Sequence, residues 1–141
     1  MADATTDVPE LSISTEKVCF IIAKAEEFDA KDVVTIPDPG SNPSDDAMIE
    51  VLEDHKDDPV VAEVVGFIRA MSEDEQIDLV SLAWLGRGDG TLAEWADLRA
   101  EAARAHNRRT AQYLLGMPLV ANYLAEGLAA FGRSCEGGAA A

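Results

Sequence analysis

Arg87-Gly88-Asp89 sits inside the run Trp84-Leu85-Gly86-Arg87-Gly88-Asp89-Gly90-Thr91-Leu92-Ala93-Glu94-Trp95, where residue types and spacing most nearly suggest a binding loop. Glycines let a backbone approach a ligand closely, and an arginine and an aspartate there could hold an anion or a cation. Calcium asks for more. With Gly90 at the invariant glycine of a calcium-binding loop, Leu85, Arg87 and Ala96 fall where oxygen ligands and a bidentate glutamate are needed. The run also lacks the lysine and Ser/Thr of a phosphate loop, and no strand pattern precedes it. Its Arg-Gly-Asp tripeptide is the one integrins read, a three-residue match of the kind that arises by chance. What remains is Arg87 as an anion ligand beside the start of the helix from Leu92. The commoner alternative is an arginine closed onto a carboxylate of the fold.

A second basic concentration comprises Arg99, Arg104, His106, Arg108 and Arg109. On a continuous helix Arg104 and Arg108 share a face. The candidate anion site is therefore Arg87 with Arg104, Arg108 and Arg109, for a phosphate or an acidic group. The competing reading pairs these arginines with Glu101 and the acidic N-terminal half. No aromatic residues interleave with them as single-strand binding would need. His55, among Glu53, Asp54, Asp57 and Asp58, suits a metal or a general base, but a histidine near a helix end is ordinarily held by the helix dipole. Asp45-Asp46 and Asp57-Asp58 are adjacent pairs and do not face one another on a helix. Cys19 and Cys135 form no Cys/His cluster. No nucleophile elbow is present. The residues thus designate no catalytic residue, no metal site and no cofactor.

Charge narrows the partners. The net charge is −16, and residues 1–80 hold 21 acids against 5 bases while residues 81–141 hold 6 of each. An acidic half repels phosphate backbones and anionic membranes, so nucleic acid and membrane are not expected partners. Solubility is the plain reading of that charge, and docking of a basic partner is the sharper one. Met1–Asp7 lacks the basic and apolar regions of a signal peptide, and no apolar run reaches membrane-spanning length. The expected location is the cytoplasm, with both thiols reduced.

The elements that must position these residues read as helices throughout. A chain of 141 residues, 48% of them hydrophobic, can bury a core without metals or disulfides. Ser14 caps a helix over 15–30 with Val18, Ile21, Ile22, Ala25 and Phe28 inward. Residues 31–44, with Pro37, Pro39, Gly40 and Pro43, read as a loop. Ser44 caps a second helix carrying Met48, Ile49, Val51 and Leu52. Asp58-Pro59 opens a third through Val60, Val61, Val64, Val65, Phe67 and Ile68. Ser72 and Glu75 form a capping box for a helix that ends at Gly86, and Thr91 and Glu94 form another. Residues 92–116 make either one helix or two, broken near Asn107 with Thr110 as the new cap. Gly88 and Gly90 provide positive φ in the turn. Trp84, Trp95, Tyr113 and Tyr123 anchor the core, with the tyrosines partly exposed. Pro118 begins the last helix, its buried side Leu119, Val120, Tyr123, Leu124, Leu128 and Phe131, with Gly132 as C-cap. The expectation is an all-α, compact single-domain bundle of about six or seven helices. Residues 1–11 form a disordered acidic N-terminus, 12–132 the helical domain and 133–141 a disordered Gly/Ala tail.

Leu82-Ala83-Trp84-Leu85-Gly86-Arg87-Gly88-Asp89, Glu94-Trp95, Tyr113-Leu114-Leu115-Gly116-Met117-Pro118 and Tyr123-Leu124-Ala125-Glu126-Gly127-Leu128 together resemble the uncharacterised bacterial domain-of-unknown-function family 3775, over about residues 60–132. The resemblance implies a compact bacterial helical domain and carries over no activity and no site residue. Two functions stay in view. One is a non-enzymatic interaction module that meets a protein partner or a second copy of itself. The other is an anion-binding protein or enzyme whose arginines converge, unpaired, on a pocket. A nucleic-acid regulator is a third reading that the charge disfavours.

Overall fold

The computed structural model describes residues 8–31 and 58–135. The expected loop over 31–44 lies outside the described residues except for Lys31, which ends the first helix; the helix capped by Ser44, His55 and the end of the tail from Glu136 also lie outside them. Within them the chain forms six α-helices and no strand: α1 (Thr15–Lys31), α2 (Pro59–Arg69), α3 (Glu73–Arg87), α4 (Trp95–Ala105), α5 (Thr110–Gly116) and α6 (Val120–Ala130). A single 3-10 turn, Leu92–Glu94, leads into α4. The all-α expectation stands.

Local chemistry starts these helices where the sequence says it should. The Ser14 hydroxyl accepts from the Lys17 amide at 3.2 Å. Asp58 accepts from the Val60 amide at 2.8 Å, with Pro59 leading α2. Ser72 and Glu75 exchange reciprocal bonds of 3.1 and 2.9 Å, closing the box that opens α3. At the second box the Glu94 carboxylate accepts from the Thr91 amide at 2.8 Å.

α3 is the axis of the molecule. Every residue from Ile77 to Leu85 is buried, as expected of a helix covered on all sides. α6 runs antiparallel along it, α4 lies against another side, and α1 packs on α6 while α2 bridges α1 and α5. The α3–α6 approach is close enough that side chains are excluded at two points. A Cβ on Gly86 would fall 1.8 Å from the Tyr123 carbonyl oxygen, and one on Gly127 would fall 2.4 Å from that of Leu82. Each helix thus presents one glycine to the other's backbone, four residues from the point where it meets the partner's glycine.

This packing corrects the reading of the glycine run. Gly86 is inside α3 and serves contact. The helix stops at Gly88, whose φ is 98°. The amides of Gly88 and Asp89 return to the Trp84 carbonyl at 3.1 and 3.0 Å, the αL closure that glycine favours. Gly90 is not at positive φ; it lies against Glu94 and Leu98. Of the open alternatives for 92–116, the broken one is found. Asn107 Oδ1 accepts from the Arg109 amide at 2.8 Å in the turn before α5, and Thr110 is the first residue of α5 instead of its cap, its hydroxyl donating to the Asn107 carbonyl at 3.2 Å. Two further expectations fail. Leu119 is 55% exposed with φ 65°, and α6 begins after it at Val120. Tyr113 is wholly buried, because its hydroxyl finds a partner inside: Trp84 Nε1 donates to it at 2.8 Å.

The two cysteines are not free thiols. Cys19 in α1 and Cys135 beyond α6 form a disulfide, with Cα atoms 5.6 Å apart. The fold returns the segment after α6 to the start of α1, and Arg133 Nη1 donates to Thr15 Oγ1 at 3.3 Å beside the bridge. Residues 133–135, read from sequence as tail, are held there.

Candidate functional site

Arg87 ends α3, one residue before the chain reverses at Gly88. Reversal carries Asp89 back onto it, and Asp89 Oδ2 accepts from Arg87 Nη2 at 2.6 Å and Nε at 3.0 Å. The arginine side chain is only 6% exposed, under Met117, whose sulfur lies 4.0 Å from Nη1. Burial opposes its charge, but the Asp89 carboxylate and the Tyr113 phenol outweigh that and hold the guanidinium protonated above its usual range. Trp84, Tyr113, Arg87 and Asp89 form a continuous polar chain from the core to the glycine turn. Its chemistry is that of a closed charge pair.

The remaining arginines of the expected site lie around the end of α4. Arg104 ion-pairs with Glu101 one turn earlier on the exposed face of α4. Arg108 and Arg109 are exposed in the break before α5. Arg87 and Arg104 are each paired with a carboxylate of the fold.

The most buried charge in the described residues was not singled out from the sequence. Asp78, 1% exposed on the inner side of α3, accepts from Arg99 Nε at 2.6 Å with one oxygen. With the other it accepts from the backbone amides of Ser12 and, at 3.3 Å, Ile13. It joins α3 to α4 and to the segment that leads into α1. Glu75, one turn earlier, adds a second tie to α1 through Lys17 Nζ at 2.6 Å. That ammonium, then the Ser72 amide, hold the Glu75 carboxyl below the usual range. His106 completes the polar edge. Its Nε2 is 2.9 Å from Gln76 Oε1, its Nδ1 faces Glu73 at 3.8 Å, and Gln76 Nε2 donates to the Ile68 carbonyl at 3.0 Å. The signal for Asp78 was available: an aspartate between Ile77 and Leu79 in a helix buried all round must find donors. Its donors were not, because they lie 21 and 65 to 66 residues away.

Among the described residues no group of three His, Cys, Asp or Glu side chains is arranged to hold a metal ion. Also among them, no helix is long and apolar enough to cross a membrane. No curated protein and no solved structure matches the chain. A family profile described as "Protein of unknown function (DUF3775)" matches residues 61–133, from the start of α2 to just beyond the end of α6. That span is more than half of the chain and contains both glycines of the α3–α6 crossing, the Arg87–Asp89 turn and the buried Asp78–Arg99 pair. The chain belongs to the DUF3775 family.

Proposed function

We propose that this protein is a cytoplasmic bacterial interaction module, without catalytic activity of its own, that binds a protein partner or a second copy of itself. The observation that carries the reading is the closed state of Arg87. The arginine best placed to receive a ligand at the glycine turn is held by Asp89 at two points and covered by Met117. Further support comes from Asp78, which receives Arg99 and two amides and so has its oxygens engaged. His106 lies against Gln76 and Glu73 and is likewise engaged within the fold. Groups saturated this way serve architecture, and recognition then falls to the outer helix faces and the acidic surface.

The test is a titration of the isotope-labelled full chain with inorganic phosphate, followed by NMR at the arginine side chains and at the backbone of residues 86–91, together with sedimentation of the chain alone. The reading expects no saturable shift at Arg87, Arg104, Arg108 or Arg109. Saturable shifts converging on those four arginines would establish the anion-binding alternative in its place. Sedimentation as a discrete dimer would identify the partner as a second copy.

A further inference from the structure

The Cys19–Cys135 bridge has a position that sets it apart from an ordinary structural staple. Small domains that depend on disulfides do so because their cores are too small. Here the core is extensive without it: Val18, Ile21, Ile68, Leu79, Leu82, Tyr113, Leu114, Leu124 and Leu128 are each no more than 1% exposed. The bridge lies at the edge of that core, with Cys19 packed against it and Cys135 beyond it. Cys135 is exposed in non-helical chain three residues past Gly132, where α6 has already been closed by its own left-handed cap. Cys19 is half-buried in the second turn of α1. Opening the bond would remove the covalent tie between Cys135 and α1, leaving the Arg133–Thr15 hydrogen bond as a weaker contact there and the α3–α6 crossing untouched.

We propose that Cys19–Cys135 is a reversible redox latch fastening the end of the family domain to α1. A dithiol reductant, small or protein-borne, opens it by exchange. One reductant thiolate attacks the exposed Cys135 sulfur, and Cys19 leaves as a thiolate and takes up a proton. The second reductant thiolate then displaces Cys135 from the mixed disulfide, and Cys135 takes up a proton in turn. Two electrons pass to the protein, and the reductant ends as its own disulfide. In a reducing cytoplasm the latch stands open; an oxidising episode closes it. The inference is independent of whether the domain binds a partner.

The experiment uses the full chain, oxidised with glutathione disulfide and then treated with dithiothreitol without denaturant. Alkylation and mass spectrometry count the thiols, and hydrogen exchange follows each segment. The latch expects no alkylated cysteine after oxidation and both alkylated after native reduction. On reduction, exchange should rise in residues 131–135 and in the first turns of α1 by more than it rises in α3, whose exchange follows only the fall in global stability. The melting temperature should fall by about 5–15 °C with helical content retained at room temperature. Cys135→Ser should reproduce the reduced state without reductant. Failure to form the bond on oxidation overturns the proposal. So does a bond that opens only in denaturant, or a reduced chain that unfolds as a whole, since either is the behaviour of a fixed staple.

Discussion

Asp78 shows how much one buried charge can decide. Removing one partner of a fully buried ion pair costs roughly 3–5 kcal/mol, because the other is left uncompensated. Arg99 is 31% exposed, and two amides still serve Asp78, so Arg99→Met should cost about 2 kcal/mol in urea denaturation. Asp78→Asn combined with Arg99→Met should cost less than the sum of the two single changes, since the uncompensated charge is gone; strict additivity would mean the pair is not coupled. Glu75 gives the pH-dependent counterpart. Its carboxyl is held low by Lys17 and the Ser72 amide. A group with a depressed folded-state pKa adds stability above its unfolded value, near 4.3, and loses it as pH falls through the folded value. Glu75→Gln keeps the shape and cannot titrate. The wild-type advantage over it should be about 0.5–1 kcal/mol at neutral pH, shrink as pH falls below the unfolded value, and vanish once pH is below the lower folded value. Chemical denaturation at pH 7, 5 and 3.5 reads it directly.

At the scale of elements, the α3–α6 crossing separates what glycine does in different places. Glycine in a helix ordinarily costs about 1 kcal/mol against alanine. Gly66 of α2 has nothing within 4 Å of where a Cβ would stand, so Gly66→Ala should stabilise the protein by about 0.5–1 kcal/mol. Gly86→Ala and Gly127→Ala should do the reverse. Their Cβ atoms would fall 1.8 and 2.4 Å from backbone oxygens of the opposite helix. Backbone cannot move aside as a side chain can, so losses of about 2–4 kcal/mol are expected. Thermal denaturation of the three variants together is the check, and a neutral Gly86→Ala would mean the helices do not approach this closely. The same crossing accounts for two of the glycines in the family-like motifs: Gly86 after Trp84-Leu85 and Gly127 before Leu128 are where two backbones meet.

For the whole molecule, charge and fold are divided differently along the chain. The net −16 resides in residues 1–80, whereas 81–141 are balanced. The balanced part contains the end of α3 with α4, α5 and α6, and its arginines meet carboxylates both within that part and, through Asp78, in the acidic half. This cross-half pairing is the arrangement the sequence raised as the alternative to an anion site. The disulfide acts at the same scale, linking residues 116 positions apart. Its test and the phosphate titration interrogate separate properties, so either can fail without the other.

Local rules determined much of this protein. Ser14, Asp58 and the Ser72–Glu75 box start helices because a side chain can satisfy orphan amides only a few residues away. The apolar spacing of Val18, Ile21, Ile22, Ala25 and Phe28 sets the buried face of α1 for the same reason: helical period is a property of adjacent sequence. Gly132 closes α6 as its neighbours predict. What the fold alone decided are relations between distant parts. Gly86 reads as a helix end until α6 is seen lying on it. Tyr113 reads as amphipathic until Trp84 meets its hydroxyl. Cys19 and Cys135 read as unrelated thiols until the chain returns to α1. In each case the deciding partner lies 29 or more residues away, and no local pattern in a single sequence encodes which distant group will arrive.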